Sequence, residues 1–80
     1  MHLDSSVVLV TGAASGIGTA IARAFARAGS RVGVADLDLR LAEKVAAELR
    51  AGGGQAIAVQ MDVTSEVQVN SGVESMVAAF

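Results

Sequence analysis

Eighty residues amount to roughly half of an average domain, and a chain this short buries only about 60–65% of the surface its unfolded form exposes. It has no cysteine, which excludes a disulfide framework and a thiolate metal site, and 52% hydrophobic against 18% charged residues excludes a disordered chain. A net charge of −2 leaves no electrostatic footprint for nucleic acid.

No uncharged apolar run approaches the ~20 residues that span a bilayer, and Met1–Ser6 lack the basic start of a signal peptide. The expectation is a cytoplasmic protein with no nucleic-acid or membrane partner. The single histidine, His2, stands at the chain start, a poor position for a metal ligand or a general base.

The first element is Val7–Val10, an apolar run without polar alternation that predicts a strand buried on both faces, as in parallel sheets. From Ile17 the period changes. Ile17, Ala20, Ile21, Ala24, Phe25 and Ala28 follow helical spacing and predict the buried face of a first helix, with Arg23 and Arg27 on its other side. Gly29 is placed to end that helix in the left-handed conformation.

Arg31–Asp36 reads as the second strand, and Asp38 as the cap of a second helix with Leu41, Ala42, Val45, Ala46 and Leu49 as its buried stripe. Gly52-Gly53-Gly54 closes that helix. Regular structure resumes at once, which disfavours a flexible linker. Ala56–Met61 is the third strand, ending at Asp62-Val63. Ser65-x-x-Gln68 matches a capping box, and Val69, Val73, Met76, Val77 and Phe80 predict the core face of a third helix.

Strands alternating with helices over short connections define an α/β fold, βαβαβα, with a three-stranded parallel sheet in the order 3-2-1. Residues 1–80 contain no internal boundary. Right-handed crossovers put the first two helices on one face and the third on the other, and leave the edge of Val7–Val10 unpaired, an aggregation or pairing hazard.

Thr11-Gly12-Ala13-Ala14-Ser15-Gly16-Ile17-Gly18 joins the first strand to the first helix. It is not a P-loop, which needs a lysine directly after its second glycine. Nor is it G-x-G-x-x-G, because its spacing is G-x-x-x-G-x-G. The physics is still that of dinucleotide binding, in a partial Rossmann fold.

Gly12 permits the sharp exit from the strand, and Gly16 lets the backbone approach a pyrophosphate. Gly18 leaves room for a phosphate or for close packing against the strand, and Ser15 offers a hydroxyl donor. The helix N-terminus adds N–H groups and partial positive charge. A ligand-free βα turn of small residues is the alternative reading of this loop alone.

Asp36 is an independent check. It ends the second strand 18 residues after Gly18, close to the ~20 expected for a carboxylate that binds an adenine ribose. A carboxylate there accepts hydrogen bonds from ribose hydroxyls and repels a 2′-phosphate. Leu37 follows rather than arginine, so the sequence favours NAD over NADP. A turn or cap role is the alternative for Asp36 taken singly.

Together these residues carry a resemblance. Thr11–Gly18 is similar to the T-G-x-x-x-G-I-G signature of the short-chain dehydrogenase/reductases, Asp36 to their NAD-type acid, and Asp62-Val63 to the pair lining their adenine pocket. The resemblance runs from Leu3 to Phe80, and the segment from Ala35 onward is similar to 3-hydroxybutyrate dehydrogenase-like members. It implies NAD as cofactor, bound by Gly12, Ser15, Gly16, Ile17, Gly18, Asp36, Leu37, Asp62 and Val63. It also implies hydride transfer between nicotinamide and an alcohol or carbonyl substrate.

The family's N-N-A-G and Y-x-x-x-K motifs have no counterpart here. The chain contains no tyrosine, and its only lysine, Lys44, falls opposite the buried stripe. No catalytic residue is carried over, so the 80 residues alone are expected to be inactive and to form the N-terminal, cofactor-binding part of a longer enzyme. On its own such a segment is expected to be unstable or self-associating and to bind NAD weakly. Two other expectations remain open: a non-catalytic NAD-responsive module, and a structural fragment that pairs through its exposed strand edge.

Overall fold

Strands β1 (Val7–Thr11), β2 (Arg31–Asp36) and β3 (Gln55–Gln60) alternate with helices α1 (Gly16–Arg27), α2 (Leu39–Ala51) and α3 (Glu66–Ala79) in the computed structural model, which describes residues 6–12 and 15–80. His2, and Ala13 and Ala14 of the glycine-rich turn, lie outside the described residues. The strands pair in parallel with β2 at the centre, which is the expected 3-2-1 order.

Strand alternation decides what each face of β2 meets. Val32 and Val34, both 0% exposed, pack with Val10, Ala22, Ala42, Ala46 and Leu49 under α1 and α2. Ala35 points the other way and joins Val59, Met61 and Met76 under α3. Gly33 shares that second face. A Cβ on it would overlap the Met76 sulfur and stand 3.0 Å from Leu9 Cδ1, so the bare position is what lets α3 lie against the sheet. Gly72 of α3 does the same from the helix side, where a Cβ would overlap Met61 Cε.

The helix ends follow the capping chemistry written in the sequence. The side chains of Ser15, Asp38 and Ser65 each accept first-turn amides, and Gly29 has φ +96° just past α1. The three glycines after α2 are a tight cap rather than a linker: the Gly54 amide donates to Leu49 O at 3.0 Å and that of Gly53 to Arg50 O at 3.0 Å. The capping box at Ser65 is only half formed. Ser65 Oγ accepts from Gln68 N at 3.3 Å, but Gln68 Oε1 accepts from Asp62 N at 2.9 Å instead of from Ser65 N, because Ser65 N already donates to Asp62 O.

Several expected core positions are exposed. Helix α1 meets the sheet through Gly18 and Ala22, with Phe25 and Ala26 packed alongside. Ile17 is 79% and Ile21 44% exposed, and Ala20 and Ala24 are exposed as well. The small residues of this helix allow the closer approach, so they take the sheet side and rotate the isoleucines off it. Leu41 in α2, and Val73 and Val77 in α3, also face outward. In β1 only Val10 is buried, while Val7 is 47% exposed, because among the described residues no strand pairs with its outer edge. Lys44 is exposed, as its spacing requires.

Two substitutions separate the buried face from the outward one. Val34→Ala is expected to cost about 2 kcal/mol, from two lost methyl groups and the cavity they leave. Ile17→Gln is expected to change stability by no more than about 0.5 kcal/mol, the usual effect at an exposed position. Urea unfolding midpoints at constant m-value measure both.

Candidate functional site

The parallel register carries three loops to one edge of the sheet. Thr11 pairs with Ala35, and Asp36 with Gln60, so Gly12, Asp36 and Asp62 leave the C-terminal ends of adjacent strands. At the usual spacing of ~4.8 Å between strands, they form a row about 10 Å long. The Met61 amide donates to Asp36 O at 2.9 Å and continues the ladder to that edge. Ligands of open parallel sheets bind outside these strand ends.

At the first loop, Gly12 has φ +63°, a conformation strained for any residue with a side chain, and turns the chain out of β1. Ser15 then caps α1. Its hydroxyl donates to Gly12 O at 2.7 Å and accepts from Gly18 N at 3.1 Å, so the donor expected of Ser15 is spent on the turn itself. Helix geometry leaves the first N–H groups without helical acceptors. The Ser15 amide goes to Gly12 O and the Gly18 amide to Ser15 Oγ, while those of Gly16 and Ile17 have no partner among the described residues. The first turn of α1 contains no acidic residue to neutralise its partial positive charge.

Open space lies beside this loop, since a Cβ built on Gly12 or Gly16 would meet nothing within 4 Å. Glycine backbone with open space beside it, two helix amides without a partner among the described residues and no acidic residue in the first helical turn fit a diphosphate. Gly18 is buried, one turn before the buried Ala22 on the same face of α1.

The second loop holds Asp36, half-buried at the end of β2. Its Oδ1 accepts from Asp38 N at 3.0 Å, closing a turn around Leu37, which is 66% exposed. The Asp38 carboxylate is occupied in capping α2, accepting from Arg40 N at 3.0 Å and Leu41 N at 3.3 Å. Leu37, Asp38, Leu39, Arg40 and Gln60 line an open hollow of about 440 Å³. Arg40 places a cation in this hollow, four residues past Asp36, where the identity of Leu37 alone gives no sign of it.

At the third loop, Asp62 Oδ1 accepts from Thr64 Oγ1 at 2.6 Å and from Thr64 N at 2.9 Å. These bonds, the hydroxyl's first, hold its carboxyl below the usual carboxylate range against a small opposing effect of burial. Val63, beside it, is 61% exposed. Thr64 and Gln68 are the residues that fix this loop. The D-x-T pattern is a readable signal for the first, whereas Gln68 looked like a cap residue.

The short chain dehydrogenase family profile matches residues 6–80. The chain is 42% identical over 79 residues to 2,5-dichloro-2,5-cyclohexadiene-1,4-diol dehydrogenase LinX of Sphingobium indicum, covering 99% of this chain and 32% of that protein. It is also 42% identical over 79 residues to D-threitol dehydrogenase of Mycolicibacterium smegmatis, covering 99% of this chain and 30% of the relative.

Among solved structures, a 7α-hydroxysteroid dehydrogenase complexed with NADH and 7-oxo glycochenodeoxycholic acid superposes with a TM-score of 0.93 at 37% identity, covering 98% of this chain and 31% of that one. A hydroxysteroid dehydrogenase from Escherichia coli gives 0.92 at 38% identity, covering 96% and 32%. The chain belongs to the short-chain dehydrogenase family. It spans about a third of the length of these relatives.

The Asp62 carboxylate supplies a test of the third loop. Because its pKa is lowered in the fold, its contribution to stability is complete above the unfolded value of about 3.9 and is lost as pH falls through the lowered folded value. Thr64→Val removes the hydroxyl donor and is expected to raise the Asp62 pKa toward the ordinary range and to shrink this acid-side loss. Carboxyl-carbon NMR titration of Asp62 reads the shift.

Proposed function

We propose that this chain is the NAD-binding segment of a short-chain oxidoreductase that transfers hydride between nicotinamide and an alcohol or carbonyl substrate. The observation that carries the reading is the row of three loops at one sheet edge, with glycine backbone and a helix N-terminus at one end and two carboxylates beyond. Gly12, Gly16 and Ile17 would hold the pyrophosphate through backbone amides, with Ser15 and Gly18 fixing the turn that presents them. Asp36 would accept hydrogen bonds from the adenine ribose, and Leu37, Asp62 and Val63 would flank the adenine.

NAD bound there supplies the hydride acceptor. The residues of this chain bind and orient it, and none is assigned to proton transfer. The NADH named in the solved relative supports the cofactor. The alcohol or carbonyl substrate belongs to a longer form of the protein.

Titration of the 80-residue chain with NAD, followed by amide NMR shifts, is expected to give a roughly millimolar Kd, about −4 kcal/mol, with the largest shifts at Gly16, Ile17 and Asp36. Asp36→Ala is expected to abolish the preference for NAD over NADP, because it removes both the ribose acceptor and the charge that repels a 2′-phosphate. An unchanged preference in that variant overturns the reading.

A second reading, pairing of the chain with itself, is favoured by the β1 edge. Val7, Leu9, Val73, Met76, Val77 and Phe80 line an apolar groove of about 440 Å³ beside that edge, and strand edges flanked by apolar surface associate readily. Sedimentation velocity is expected to show concentration-dependent association that Val7→Lys suppresses while far-ultraviolet dichroism stays the same. A wild-type chain that sediments as a monomer at every concentration tested refutes it.

A further inference from the structure

We propose that Gln60 is a positioning residue for nucleotide selection, acting on Asp36 through the carbonyl of Leu37. This inference rests on the NAD reading of the same edge. Gln60 is the last residue of β3 and pairs with Asp36 across the sheet. Its Nε2 donates to Leu37 O at 3.2 Å. Leu37 is the middle residue of the turn that Asp36 Oδ1 closes on Asp38 N, so the Gln60 amide ties the centre of that turn to the neighbouring strand.

The middle residue of this turn has little packing to hold it, since Leu37 is 66% exposed. The Met61 amide holds Asp36 O and the α2 cap holds Asp38, so the bond from Gln60 adds a restraint at the middle of the turn, on the residue that follows the Asp36 carboxylate.

The position of that carboxylate matters because the hollow lined by the next two residues of the turn, Leu37 and Asp38, carries mixed charge. Arg40 lines the hollow together with Gln60, and the carboxylate of Asp38 is already taken up by two α2 amides. A 2′-phosphate is repelled while the Asp36 carboxylate is held at the end of β2. Once the turn loosens, the Arg40 guanidinium gains weight in the local field. Gln60 therefore sharpens discrimination between NAD and NADP without touching the nucleotide.

The test uses Gln60→Met, which keeps the size of the side chain and removes its donor, and Gln60→Lys, which restores a donor on a side chain of similar reach. Gln60→Met is expected to weaken NAD binding about three- to tenfold, the size of one ordinary hydrogen bond, to leave NADP binding equal or stronger, and to speed hydrogen exchange at the Asp38 amide in the ligand-free chain. Gln60→Lys is expected to restore the slow Asp38 exchange.

Equal losses for NAD and NADP with a lowered melting temperature would show a merely structural role and overturn the inference. Unchanged Asp38 exchange in Gln60→Met, or failure of Gln60→Lys to restore it, overturns it as well. If the wild-type chain binds neither nucleotide, the proposed function fails and takes the selection role with it. The Asp38 exchange measurement then still decides whether Gln60 holds the turn.

Discussion

The central position of β2, covered from both sides, is the constraint on which the molecule depends. Parallel pairing on each of its edges requires a crossover helix in each connection, and right-handed crossovers stack α1 and α2 on one face. Val32 and Val34 bury that face, while Gly33 and Ala35 leave only shallow side chains on the other. α3 settles there with Met76 over Gly33. Because all three strands run the same way, their outgoing loops emerge at one edge, and the row of residues 12, 36 and 62 is a direct consequence of how the core is filled.

At that edge the hydrogen bonds that shape the loops also decide which groups remain for a ligand. The Ser15 hydroxyl gives its proton to Gly12 O, Asp62 Oδ1 is engaged by Thr64, and Asp36 Oδ1 by Asp38 N. Each bond removes a polar group from circulation and fixes a neighbour: the amides ahead of α1, the loop before Val63, the carboxylate at the end of β2. On the proposed reading, the Gly12 loop would meet a diphosphate through backbone amides, and the carboxylate at the end of β2 would meet a ribose and repel a 2′-phosphate.

Apolar side chains remain on the surface on both sides of the sheet. Ile17 and Ile21 on α1, the outer edge of β1, and Val73 and Val77 on α3 lie exposed on both faces of the sheet. Charged side chains cover other parts of the surface, where Arg23 and Glu48 form an exposed ion pair at 3.1 Å of the kind that contributes little to stability. Part of this apolar surface, at Val7 and Ile17, flanks β1 and the N-terminus of α1, beside the loop proposed to hold the nucleotide.

Local patterns sufficed for everything set by neighbours along the chain. Apolar runs marked the strands, Ser15, Asp38 and Ser65 marked the helix starts, Gly29 and residues 52–54 marked the ends, and the alternation of elements fixed a parallel sheet in the 3-2-1 order. Gly12 and Asp36 were expected from their places at a strand exit and a strand end, whereas Asp62 was expected only through the resemblance of Asp62-Val63 to the family's pair. Which side of α1 would meet the sheet was not legible, since helical periodicity is satisfied equally by Ile17-Ile21-Ala24 and by Gly18-Ala22-Phe25. Only the depth of approach to β1 and β2 favours the smaller set. The bonds from Gln60 to Leu37 and from Gln68 to Asp62 were hidden for a related reason. They join atoms brought together by strand pairing and by the angle at which α3 leaves the sheet, and those distances exist only once the three layers have packed.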